Sequence, residues 1–455
     1  MAFTGVEAAS SAVSSMCDNS EDSIAASAYN VIDIATVKVP QANLVSGHEY
    51  LIIYNMAMGG TNAAGIIDGI VRYGTADTIA HCAYETDAET VTLANGPASG
   101  SGGGMYGFYF LSANGSDSIW LEAKWSAAQA GYLMGKCLTA IDLNNLTENT
   151  HYWQSVQTGD ATVATDTTTS ATDDTALVAV TFNLPATEDY LVLASAEFWG
   201  GNTATGSTHC FLNINGATQK QPGKHTWEDN LDRYSFAYAS LQSLSSGNNA
   251  CSLMIGNADG NHDTNGRRGR IIIIRKSAYV DIVQQARTPT KNITTDYNTW
   301  SQDTSLTYTN NTGTTENIVF IAHSQFGHVD PDDHTVGRLL NNTDAVSQSE
   351  VVNTNPRETQ DTIPVIATGF VANLADGGAK EMIFQVAGDS TATNQFSLQA
   401  SLIAWNMKES TAPPATAPKR LIRLQRQGLI GYEPPEEPIK LAREMLKLPE
   451  CNCEE

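Results

Sequence analysis

Along the first 409 residues, apolar and polar positions mostly alternate with a period of two, broken by short unbroken apolar runs such as Leu51–Tyr54 and Ile271–Ile274. Side chains that alternate in this way lie on opposite faces of an extended strand, and no stretch of this body holds a helical stripe. Three segments open alike, with an apolar strand ending at glycine: His48–Gly59, Glu188–Gly200 and Thr315–Gly327. Taking Tyr50, Tyr190 and Asn317 as equivalent gives a repeat spacing of 140 and then 127 residues. Each opening strand is followed by a second recurring element, an alternating strand, a small turn and another strand. The turns are Asn114-Gly115, Ser246-Gly247 and Asp376-Gly377-Gly378. Alternation on both sides of such residues predicts a hairpin, because they tolerate the positive φ of a tight turn. A closing strand completes each unit at Gly131–Leu138, Arg270–Arg275 and Phe396–Trp405.

Short strands, frequent turn residues and units of this size predict an all-β chain of three tandem antiparallel β-sandwiches, jelly-roll-like, each with its own core. The pattern divides the chain into an N-terminal segment 1–27, sandwiches at 28–147, 148–285 and 286–409, and an extended arm at 410–455. The arm begins at Thr411–Pro418 and holds 7 of the 15 prolines. It is charge-balanced, with 7 basic and 7 acidic residues, so the body carries the whole net charge of −24. Lys419, Arg420, Arg423 and Arg426 are interleaved with Leu421, Ile422 and Leu424, with no acid among them, and Leu429 and Ile430 follow. The stretch from Ile439 to Leu448, carrying Leu441, Met445 and Leu446 and entered through Pro438, predicts one short helix. A helix of that length is marginal alone and needs a surface to dock against.

Charged residues make up 16% of the chain and hydrophobic ones 41%, so a packed interior is covered by neutral polar groups. An acidic body repels phosphate backbones, which argues against general nucleic-acid binding. The N-terminal residues lack the basic and apolar regions of a conventional signal peptide, and the apolar runs stop far short of the about 20 residues a helical span needs. The seven cysteines are thinly spread, with no CxxC pair for a structural zinc site. Cys210 and Cys251 read as buried thiols, Cys451 and Cys453 as an exposed pair, and the whole as a reduced chain made in the cytosol.

Candidate chemistry is sparse. There is no GxSxG elbow, and His81-Cys82 and His209-Cys210 are strand neighbours whose side chains point apart. The glycines of Gly96–Gly104 lack the Lys-Ser/Thr of a phosphate loop. Asp259, Asn261 and Asp263 alternate like the start of a calcium loop, but Thr264 and Arg270 stand where that loop needs glycine and a bidentate glutamate. They read as a polar hairpin loop, with calcium the ion it would take if any. His328, Asp330, Asp332, Asp333 and His334 read as a solvated turn before a transition-metal site. Phe198, Trp199, Trp227 and Phe326 would stack on sugars if they lay exposed at sandwich ends, and are core residues otherwise.

A neutral-polar surface, tandem β-modules without a catalytic signature, cytosolic synthesis and the terminal arm Thr411–Glu455 together resemble the virion proteins of tailed bacteriophages: head decoration, head-fibre or tail-appendage proteins. The resemblance implies a non-enzymatic structural role in the virion, with copies of itself and other virion proteins as partners and no nucleic acid or membrane. In such proteins the arm ties a subunit to its neighbour or to the particle. Two other classes fit the same modules: an adhesin array that recognises host-surface glycans, and a glycan-degrading enzyme on a β-scaffold.

Overall fold

The computed structural model describes residues 8–9, 13–18, 22–24, 30–60, 67–75, 78–82, 101–125, 131–157, 160–163, 175–200, 206–227, 233–257, 264–295, 299–328, 335–353, 362–388 and 395–408. Met1–Ser410 form one compact unit and Thr411–Glu455 a second. The arm and its expected helix lie outside the described residues.

The body is all-β, and its strands fall into three sets. The first holds β1 (Ala8–Ala9), β2 (Val13–Asp18), β3 (Asp22–Ile24), β4 (Asn30–Val39), β5 (Glu49–Gly60), β6 (Ile67–Thr75), β7 (Thr78–Cys82), β8 (Ser101–Ser112), β9 (Ser118–Trp125) and β10 (Gly131–Asp142). The second holds β11 (Tyr152–Val156), β12 (Asp160–Val163), β13 (Thr175–Leu184), β14 (Glu188–Gly200), β15 (Gly206–Ile214), β16 (Ala217–Trp227), β17 (Arg233–Leu244), β18 (Gly247–Asn257) and β19 (Thr264–Arg275). The third holds β20 (Ile282–Arg287), β21 (Lys291–Ile293), β22 (Ser301–Thr309), β23 (Glu316–His328), β24 (Thr335–Asn341), β25 (Val346–Asn353), β26 (Thr362–Leu374), β27 (Ala379–Gly388) and β28 (Gln395–Asn406).

Each set builds the same two rows of four main strands, and a single bridge between Lys224 and Thr362 joins β16 of the second set to β26 of the third. The inner sheets run β2-β10-β5-β8, β11-β19-β14-β17 and β20-β28-β23-β26; the outer ones run β4-β9-β6-β7, β13-β18-β15-β16 and β22-β27-β24-β25. Numbering the strands of one set from one to eight, the orders are 1-8-3-6 and 2-7-4-5, an eight-stranded jelly roll, three times over. The first strand is broken in every roll, so that β3, β12 and β21 add a second short piece beside β10, β19 and β28. A bulge also recurs in each inner sheet, just past Asn55 and Ser195 in the first two rolls and one position later, past Ser324, in the third. Pairing draws β2 and β3 into the first roll, where the sequence suggests a separate segment 1–27, and starts the third roll at β20 rather than at residue 286.

Two expectations are corrected by the pairing. The turns at Asn114-Gly115, Ser246-Gly247 and Asp376-Gly377 do not close hairpins. They join β8 to β9, β17 to β18 and β26 to β27, which lie in opposite sheets. Gly115, Gly247 and Gly377 do adopt positive φ, of 76°, 91° and 72°, but to turn a corner across the sandwich. The Asn-Gly hairpin is elsewhere, at Asn215-Gly216 between the paired strands β15 and β16, with φ of 51° and 81° as a type I′ turn requires.

The second correction concerns the core. The first roll has a cluster between its own sheets, including Ile52, Tyr54, Met56, Ile119 and Leu138. The alternate residues of the same strand, Leu51 and Ile53, belong to another cluster that runs from Val13 to Met407 through all three rolls. The first roll therefore keeps a core of its own, while its seam-facing side chains share a second interior with the other two rolls.

Candidate functional site: the seams between the rolls

Register in the inner sheets identifies equivalent residues without reference to side-chain identity. Asn55, Ser195 and His323 occupy one position on the third strand of their rolls; they pair with Cys137, Arg270 and Ser401 on the eighth strand. Phe108, Ala239 and Thr368 are equivalent on the sixth strand, which is the edge of the inner sheet in the first two rolls and in the third meets β16 only through the Lys224–Thr362 bridge. An edge strand carries a row of backbone groups that need partners. Here the next roll supplies them.

The Phe108 amide donates to Ser195 Oγ at 3.3 Å, and Arg270 Nη1 donates to the Phe108 carbonyl at 3.3 Å. Between the second and third rolls, Ser401 Oγ donates to the Ala239 carbonyl at 3.1 Å, and the rings of Tyr238 and His323 meet edge-on with centroids 5.5 Å apart. Between the third and first rolls, the amide and hydroxyl of Thr368 both donate to Asn55 Oδ1, at 3.3 and 3.1 Å. First holds second, second holds third, third holds first. The contact is heterologous and closes after three steps, so one chain forms a ring with pseudo-threefold symmetry. Gly107 permits the close approach, since a Cβ there would lie 2.5 Å from Tyr54 Oη and 3.3 Å from Ser195 Cβ.

The seam between the first and second rolls opens into a cleft of about 280 Å³ lined by Glu49, Tyr109–Ser112, Gln154, Val156 and Arg270. The Arg270 guanidinium sits over the Tyr109 ring, 4.9 Å from its centroid. Burial pushes the Tyr109 phenol above its ordinary range, against the opposing pull of Arg270. Tyr152 Oη donates to Glu49 Oε2 at 2.6 Å, and its ring stacks on Phe110 at 5.6 Å.

Two buried charge clusters serve the second and third rolls. Glu197 accepts from Arg267 Nε at 2.6 Å and Arg268 Nη1 at 3.0 Å, and Arg267 lies over the Trp199 ring. Asp303 is held by Arg287 at 2.6 Å and accepts from the hydroxyls of Ser324 and Ser397. Each acid is buried and held by its partners, a structural rather than a reactive setting.

Of the residues singled out in the sequence, Asp259, Asn261 and Asp263 lie outside the described residues, as do Asp330, Asp332, Asp333, His334 and all of the arm from Arg420 to Leu446. Among the described residues no group of three metal-ligating side chains occurs. Phe198, Trp199 and Phe326 are buried, and Phe326 stacks on Phe384 at 6.2 Å, so none of the three offers a face to a sugar. Cys210 and Cys251 are buried and in no disulfide, and burial pushes Cys251 up to about 12. Cys137, by contrast, is disulfide-bonded, and Cys17 is the residue opposite it on β2. This overturns the expectation of a wholly reduced chain; two cysteines more than a hundred residues apart become neighbours only through strand pairing. The seam residues Asn55, Ser195 and His323 were missed altogether by sequence reasoning, and Arg270 was read only as the start of a closing strand and as a residue unfit for a calcium loop. Their one signal is a polar residue at the same point of each apolar opening strand.

No helix among the described residues is long and apolar enough to cross a membrane. No family model matches the chain, and no curated protein matches it. Among solved structures, it is similar to the insecticidal delta-endotoxin Cry8Ea1 from Bacillus thuringiensis, with 7% identity and a TM-score of 0.19 over 50% of this chain and 52% of that one. The chain thus spans about half the length of that toxin chain. It is also similar to infectious bursal disease virus, Gt strain, with 8% identity and a TM-score of 0.21 over 98% and 95% of the two chains. A third similarity is to Sulfolobus turreted icosahedral virus, with 9% identity and a TM-score of 0.19 over 86% and 90%. Two of these three are viral particles, but likeness at this level carries no argument about what this chain does.

Proposed function

We propose that the protein is a non-enzymatic structural component of a virion, of the capsid-decoration, head-fibre or tail-appendage type, which attaches to its neighbours through the arm Thr411–Glu455. The observation that carries this reading is the closed ring. A heterologous contact between jelly rolls would, among separate chains, recruit further copies until the circle closed. Here it closes within one chain, and every sixth-strand edge is already covered. Further assembly therefore needs a different element. The arm provides one: a basic, apolar strip at Arg420–Ile430 in a chain whose body carries the full net charge of −24. Charge steers such a strip to an acidic surface, and burial of Leu421, Ile422, Leu424, Leu429 and Ile430 holds it there.

The test is deletion of residues 411–455. The remaining body, which is the compact unit Met1–Ser410 with its core intact, retains its β-rich spectrum and its melting midpoint. Its incorporation into particles, and its association with full-length copies, is lost. Normal incorporation of the truncated chain would overturn the proposal.

A further inference from the structure

The three seams are equivalent by register, so a difference between them marks a departure of the chain from its own repeat. One such departure concerns two glutamines. Gln284 on β20 stands opposite Ile403, and Gln154 on β11 stands opposite Ile272, the same position in the preceding roll. Gln284 closes its seam: its Oε1 accepts from the Leu241 amide at 2.7 Å and from Ser240 Oγ at 3.1 Å. Gln154 instead lines the open cleft between the first and second rolls. The space that a side chain plugs in one seam is left vacant in the other.

The walls of that cleft are chemically specific. Phe110 and Val156 present apolar surface, while Glu49, Ser112, Gln154 and Arg270 bring a carboxylate, a hydroxyl, an amide and a guanidinium to the same 280 Å³. The Phe110 ring and the Glu49 carboxylate are both held in place by Tyr152, through the 5.6 Å stack and the 2.6 Å hydrogen bond. One acid and one base leave the cleft near electrical neutrality, which disfavours phosphates and other polyanions. Its volume is close to the roughly 300 Å³ at which small-molecule sites begin, room for a single ring. An apolar wall facing acceptors and donors fits a ring with a C–H face and a rim of hydroxyls.

We infer that this cleft binds one neutral sugar residue, a hexopyranose standing alone or at the end of a glycan.

The experiment is saturation-transfer-difference NMR on the full-length protein, with glucose, galactose, mannose and N-acetylglucosamine as the probes. At least one of the four receives saturation from the wild-type protein. Gln154→Ala weakens that sugar by about tenfold, the scale of one lost polar contact in a binding site. Ser112→Trp, at an exposed position on the cleft rim, fills the space and abolishes transfer, while the melting midpoint of each variant stays at the wild-type value. The inference is overturned if none of the four sugars receives saturation, or if the signal survives in the folded Ser112→Trp protein. Failure of the arm deletion to block assembly would leave this result untouched, since the cleft lies wholly within the jelly rolls.

Discussion

Single side chains decide how tightly the ring closes. Gly107 is the clearest case, because any Cβ there runs into Tyr54 Oη. Gly107→Ala is expected to cost about 1–3 kcal/mol, the usual penalty of overpacking. Adding Tyr54→Phe, which removes the obstructing oxygen, should recover part of the loss in a double-mutant cycle followed by denaturant unfolding. Glu197→Ala should cost more, about 3–5 kcal/mol, since it leaves two arginines buried without their carboxylate. Little of this scale was legible in the chain. Asn55, Ser195 and His323 lie five residues after Tyr50, Tyr190 and Ile318, the true equivalents by register. Taking Asn317 as the third equivalent misses the match by one, because the register shifts between Glu316 and Ile318. A bulge is invisible to a reading that counts residues at fixed period, and it hid a repeated polar position.

Strands were far easier to read than their partners. Runs such as Leu51–Ile53, Leu191–Ala194, Ile271–Ile274 and Leu402–Trp405 are buried on both faces, one against the partner sheet and one against a neighbouring roll. Unbroken apolar character, rather than alternation, is the mark of such two-sided burial. The turns misled for a physical reason: a glycine at positive φ serves a hairpin and a corner between sheets equally well, and local chemistry does not say which sheet the next strand joins. Edges also differ among the rolls. β13 ends its outer sheet with no charged residue and no proline, whereas the equivalent β4 carries Asp33 and Lys38 and β22 carries Asp303. An uncharged edge invites pairing with another chain. Ala179→Lys, on its exposed face, is therefore expected to reduce self-association at high concentration in sedimentation velocity while leaving the melting midpoint nearly unchanged.

For the whole molecule, the shared interior makes a thermodynamic claim. Residues 1–410 should unfold in one calorimetric transition, with the van't Hoff enthalpy equal to the measured one, rather than in three steps. Alkali should expose the same unity. Burial pushes Tyr50 and Tyr238 up to about 12 and raises Tyr106 further, whereas unfolded tyrosines ionise near their ordinary value of about 10. Keeping these phenols protonated stabilises the fold fully below pH of about 10, and that contribution is lost as pH rises through about 12. The part of the tyrosinate absorbance that appears only near pH of about 12 should then rise together with loss of the β-sheet spectrum. Joining three rolls by peptide bonds also has an evolutionary effect. In a true homotrimer any substitution is imposed three times, so a hole opened at one contact is opened at all. A fused chain can let one joint drift, as the mismatch of Gln154 and Gln284 illustrates, and gain a new trait there while its two sisters go on bearing the mechanical load.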